Sequence, residues 1–138
     1  MDESTRYLQL LGRALIGIIF LWGGLGKAMT FDATTAYIAQ AGLPFPSLAC
    51  AAAALFEGVT GILFLIGYQI RLTSIALAIY CVITALLFHR NVANPLQLAN
   101  FVKNFLILGG LLGFAHSGAG FFSIEQRLQR VTNYSRSV

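Results

Sequence analysis

Residues 48–67, LACAAAALFEGVTGILFLIG, form a nearly unbroken apolar run with one carboxylate, Glu57, at its middle. About twenty residues at 1.5 Å per residue reach roughly 30 Å, the thickness of a bilayer's hydrocarbon core. An ionisable side chain at that depth costs about 2.5–3.5 kcal/mol on insertion scales, so it should turn toward a bundle interior and have a partner there. The remaining apolar runs show where that interior lies. They cover residues 7–27, 72–88 and about 101–116, which makes four candidate spans with 48–67. The composition agrees: 57% of the 138 residues are hydrophobic and only 10% are charged, against about a quarter in soluble proteins. The mean hydropathy is +0.75. The expected fold is therefore an all-α membrane protein, a single-domain antiparallel bundle of four transmembrane helices in contact with membrane lipid.

The formal charge of +4 does not point to nucleic acid, because the basic residues are scattered singly between apolar runs. They read as topology signals. With both termini on one side, that side carries Arg6, Arg71, Arg127, Arg130 and Arg136, and the other carries Lys27, Arg90 and Lys103. Positive charge concentrates on the cytoplasmic side, so both termini are expected in the cytoplasm. The amino-terminal run opens acidic, holds Arg13 within its apolar part and lacks a small-x-small cleavage site, so it is expected to remain as a helix.

Between the first two spans, TFDATTAYIAQAGLPFPS (residues 30–47) predicts a short surface helix over 33–41. Asp32 would cap it, Gly42 close it, and Ser47 cap the next span. Residues 68–71 form a tight turn between the second and third spans. The segment HRNVANPLQLANFVKN (89–104) reads as an amide-rich loop turning at Pro95. From residue 117 the tail carries an amphipathic stretch through Arg130, expected as an interfacial helix with a polar end.

Helical spacing sorts the polar groups. Arg13, Gly17, Phe20, Gly24 and Lys27 share one face of the first helix, where glycines admit a neighbouring backbone. Cys50, Ala54 and Gly58 form a small-residue stripe on the second, and Ala53 and Gly61 flank Glu57. Counting from the helix ends puts Arg13 within about 6 Å of the depth of Glu57, so an Arg13–Glu57 pair is the first candidate, either fixing register or serving a site. On the third helix Cys81, Ala85 and His89 share a face, with hydroxyls from Tyr80 and Thr84 beside it. On the fourth, Gly109 and Gly113 form a GxxxG contact. Lys27, His89, Arg90 and Lys103 then surround an outer mouth, an electropositive vestibule over Glu57. It suits an anion, a polar headgroup or a quinone, or else its groups are snorkelling helix anchors. No metal site is expected, since His116 falls at the far end from His89, and Cys50 and Cys81 show no CxxC spacing and read as packing residues. No catalytic nucleophile–base pair is visible.

The pattern LGRALIGIIFLWGGLGKAMTFDATTAYIAQAGLPFP (11–46), Glu57 with Gly61 and Gly67 before Arg71, then Phe88-His89 and Phe101-Val102-Lys103-Asn104, resembles the DoxX family of small four-helix bacterial inner-membrane proteins. The resemblance implies an inner-membrane location and marks Arg13, Lys27, Glu57, His89, Lys103 and Asn104 as matching polar positions. It also implies a quinone- or sulfur-linked redox role, because related proteins include the small membrane subunits of thiosulfate:quinone oxidoreductase and others associate with thiol-redox and stress enzymes. The chain lacks the paired cysteines of related thiol-oxidising membrane proteins, so redox chemistry calls for a partner enzyme or a bound quinone. A non-enzymatic scaffold for redox enzymes and a small transporter acting as a homo-oligomer are the competing expectations.

Overall fold

A computed structural model describes residues 3–136. The order is α1 (Glu3–Met29), α2 (Phe31–Gln40), α3 (Pro46–Ile66), α4 (Ile70–Phe88), α5 (Pro95–Ser117) and α6 (Ile124–Arg136). Helices α1, α3, α4 and α5 are each long and apolar enough to cross a membrane. Their outward faces are aliphatic and aromatic, with Leu15, Trp22, Leu55, Ile62, Leu72, Ile79 and Leu106 all about half exposed or more. Such surface is stable against lipid tails and would not be against water.

The bundle consists of two close pairs, α1 with α3 and α4 with α5, while α3 and α4 meet more sparsely. Glycine brings the first pair together. A Cβ on Gly24 would lie 2.7 Å from the Ala54 carbonyl and the Gly58 nitrogen, and one on Gly61 would lie 2.6 Å from the Leu21 nitrogen and 2.8 Å from the Gly17 carbonyl. Backbone touches backbone along this seam. Gly61→Ala must therefore push the helices apart, and overpacking of this kind costs about 1–3 kcal/mol. A lowered melting temperature in detergent is expected for Gly61→Ala and none for Gly109→Ala, whose added methyl meets open space. The GxxxG contact expected of Gly109 and Gly113 is not made among the described residues, because a Cβ at either position would meet nothing within 4 Å.

Between the pairs lies a core of Phe20, Phe64, Leu77, Cys81 and Leu111, with the Phe64 and Phe114 rings edge to face at 5.7 Å. Both cysteines are buried as free thiols. The turn from α3 to α4 runs through Gly67 at φ +72, whose N–H, with that of Tyr68, donates to the Leu63 carbonyl and closes α3.

Several local expectations change. Helix α2 starts at Phe31 after Thr30, so Asp32 sits in its first turn and does not cap it. Helix α3 starts at Pro46, with Phe45 in the left-handed region before it, which leaves Ser47 inside the helix. The loop expected over 89–104 is mostly helix: Asn94 accepts from the Leu96 and Gln97 N–H groups and Pro95 opens α5, the usual pairing of an Asn cap with proline at the first helical position. The tail helix runs past Arg130 to Arg136, and its Glu125 N–H donates to the Gly67 carbonyl, hooking α6 onto the α3–α4 turn. The last two residues of the expected polar end lie outside the described residues.

Candidate ligand-binding cavity

The antiparallel seam determines which cation meets Glu57. With Gly17 against Gly61 and Gly24 against Ala54 and Gly58, Glu57 stands level with Gly23 and Lys27. Lys27 Nζ donates to Glu57 Oε2 at 2.7 Å, the only salt bridge among the described residues. Tyr80 of α4 donates its hydroxyl to Glu57 Oε1 at 2.5 Å, and its ring packs on Phe56 at 5.1 Å. Glu57 is 6% exposed, and both its oxygens are bonded. Gly23 makes the room, for a Cβ there would lie 2.7 Å from Oε2.

The expected Arg13–Glu57 pair does not form. Arg13 lies about ten residues, or roughly 15 Å, further along α1, level with Gly67 at the end of α3. There its Nη1 donates to the Ala119 carbonyl at 2.6 Å and its Nη2 to the Phe122 carbonyl at 2.5 Å. Counting from helix ends failed because α1, at 27 residues, overshoots the 21-residue α3. The amino-terminal part of α1 projects beyond the turn, where the α5–α6 link packs against it. Arg13 is thus a buried clamp on that link, remote from Glu57.

Above the Lys27–Glu57–Tyr80 cluster a cavity of about 410 Å³ opens between the helix pairs under α2. Its walls are largely apolar, with Ile19, Phe20, Ile38, Leu43, Ile83 and Leu87 among them. Lys27, Glu57, His89, Lys103 and Asn104 all line it, so five of the six residues marked by sequence converge and only Arg13 does not. Lys103 Nζ bonds the Asn100 side chain at 3.1 Å and pairs with no carboxylate among the described residues. Since Lys27 and Glu57 offset each other, the cavity carries one uncompensated positive charge from Lys103. Asn104 uses one amide N–H on the Asn100 carbonyl and keeps the other.

At the mouth, His89 Nδ1 and Gln97 Oε1 lie 2.8 Å apart and share a hydrogen bond. Gln97 in turn donates to the Tyr37 hydroxyl at 3.4 Å, and that hydroxyl donates to the Phe88 carbonyl at 3.2 Å. The Tyr37 ring stacks on Phe88 at 5.7 Å, which ties α2 over the opening. Arg90, expected on the rim, is exposed and does not line the cavity. Tyr37, Gln97 and Gly23 were not among the marked residues, and helical spacing places the Tyr80 hydroxyl beside the Cys81 face without a partner. Only the neighbouring helix reveals which atom that hydroxyl meets.

These features define a class: a four-helix membrane-spanning protein with a mostly apolar cavity floored by a partly buried ion pair. The DoxX family model matches residues 8–90, and the chain belongs to that family. It is 35% identical over 121 residues to the Escherichia coli K12 inner membrane protein YqjF, covering 88% of this chain and 92% of that one. It is 32% identical over 126 residues to the inner membrane protein YphA of the same organism, covering 87% and 89%. No solved structure matches. Lys103 and Asn104 on α5 lie beyond the residues matched by the family model.

Proposed function

We propose that the protein is a bacterial inner-membrane subunit, with both termini in the cytoplasm, whose cavity binds the head of a quinone and passes reducing equivalents to it from a partner oxidoreductase. The observation that carries this reading is the convergence of Lys27, Glu57, Tyr80, Lys103 and Asn104 on one apolar-walled cavity. Its volume of about 410 Å³ falls in the range of small-molecule pockets, about 300–1,000 Å³. A quinone head is a flat apolar ring with two acceptor oxygens, and the cavity has donors at two levels: Lys103 and Asn104 on α5, and Lys27 at the floor. Reduction to the quinol takes two electrons and two protons. The partner supplies the electrons, and the Tyr80–Glu57–Lys27 hydrogen-bonded cluster relays protons at the floor. The unpaired Lys103 charge favours electron density building on the oxygen beside it. The same charge suits a small sulfur-containing anion, which competition against quinone would expose.

Lys103→Met is expected to weaken binding of a short-chain quinone to the purified protein by about 10-fold or more, since a charged hydrogen bond contributes about 1.5–3 kcal/mol. Glu57→Gln, which keeps the shape of the floor, is expected to weaken it as well. Quinone that binds both variants as tightly as the unaltered protein, or does not bind the protein at all, would sink the reading. Capture of a redox enzyme with no bound small molecule would support a scaffold instead.

A further inference from the structure

A second cavity, of about 450 Å³, opens at the end of the bundle that carries the chain termini. Unlike the first it is mainly polar, lined by Gln9 of α1, Arg71 of α4, Gly118 of the α5–α6 link, and Glu125, Gln126 and Gln129 of α6. Two charges of opposite sign share this space and do not pair. Among the described residues Arg71 has no carboxylate within salt-bridge distance, and its guanidinium lies along Gly118, where an added Cβ would come within 3.3 Å of Nε. Glu125 accepts a long backbone bond, from the Ile70 N–H at 3.4 Å, and meets no cation among the described residues. Beside them Gln9 lines the wall, its Oε1 buried with no hydrogen-bond partner among the described residues.

A cation and a carboxylate held apart on one cavity are together the complement of a zwitterion. The setting indicates which one. Arg71 opens α4 just before the exposed apolar residues Leu72, Ile75 and Ile79, and Gln9 lies among exposed Leu8, Leu11 and Leu15 on α1. The cavity thus sits where an apolar, lipid-facing surface gives way to polar groups, the depth of phospholipid headgroups. We propose that it is a binding site for a phospholipid whose headgroup carries both a phosphate and a primary ammonium. Arg71 takes the phosphate, for which a guanidinium is the matched donor. Glu125 takes the ammonium, whose N–H donors its carboxylate accepts. The guanidiniums of Arg6 and Arg130 lie 4.2 and 4.4 Å from the centre of the Phe121 ring, which lines the cavity.

The test is native mass spectrometry of the full chain with phosphatidylethanolamine, phosphatidylcholine and phosphatidylglycerol of the same acyl composition. Phosphatidylethanolamine should be retained about 10-fold better than either, because a trimethylammonium has no N–H to offer and glycerol has no charge for Glu125. Glu125→Gln should reduce it to the phosphatidylcholine level, and Arg71→Ala should weaken all three while Arg71→Lys restores part. Equal retention of the three lipids, a preference for phosphatidylglycerol, or an unaltered preference in Glu125→Gln would overturn the proposal. So would displacement of the lipid by free phosphoethanolamine at equal concentration, which would make the ligand a soluble compound. The lipid comparison on the unaltered protein stands even if a variant fails to fold.

Discussion

Arg13→Ala is expected to lower the stability of the detergent-purified protein by about 3 kcal/mol or more and to release α6 from the bundle. Arg13 is 2% exposed, and its guanidinium donates to the Ala119 and Phe122 carbonyls, which belong to the link between α5 and α6. Hydrogen bonds from charged donors contribute about 1.5–3 kcal/mol each, and the substitution removes two of them. Gly67 is shaped to the same side chain, since a Cβ there would run into the guanidinium. Arg13→Lys should recover only part of the loss, because one ammonium cannot span two carbonyls as the planar fork does. Hydrogen exchange over residues 118–135 is the direct readout: faster exchange there, with unaltered protection in α3 and α4, is expected. Loss of ligand binding in the upper cavity without loss of stability would instead put Arg13 in that site.

Lys27→Met should also be severe, for a different reason. It leaves the carboxylate of Glu57, 6% exposed, without its cation. Removing one member of a buried pair typically costs about 3–5 kcal/mol, whereas removing both can be nearly neutral. The double variant Lys27→Met/Glu57→Gln should therefore be more stable than Lys27→Met alone, and a double-mutant cycle from denaturant unfolding should give a coupling energy of at least about 1–2 kcal/mol. In the double variant the Tyr80 hydroxyl, which donates to Glu57 Oε1 in the unaltered protein, can donate to the side-chain amide oxygen that replaces it, so the floor keeps its shape while losing its charges. Strictly additive single effects would mean that the pair is not coupled as its 2.7 Å separation requires.

Much of this architecture could be read from the order of residues. Four apolar runs long enough to span, separated by short polar segments, admit few folds other than an antiparallel membrane bundle, because only helices satisfy their own backbone in lipid. The face carrying Arg13, Gly17, Phe20 and Gly24 is the buried face of α1, as helical spacing requires. Lys27, His89, Arg90 and Lys103 could be grouped over Glu57 at one end of the bundle for the same reason, and all of these but Arg90 line one cavity, together with Asn104, which the family resemblance had marked. The Asn94–Pro95 helix start was legible in principle too, but the surrounding amides made it look like a turn.

The sequence by itself required that Glu57 have a partner, since an unpaired carboxylate at mid-membrane depth is too costly to leave alone. Only the tertiary structure decided which partner. Arg13 and Lys27 lie on the same face of α1, and sliding α3 along that face by a few turns, about 5.4 Å each, would exchange one for the other. The offset is decided by where backbone can meet backbone, at Gly17 with Gly61 and Gly24 with Ala54 and Gly58, a property of two surfaces together that neither helix carries alone. That contact sends Lys27 and Tyr80 to Glu57 and leaves Arg13 to hold the opposite end of the bundle.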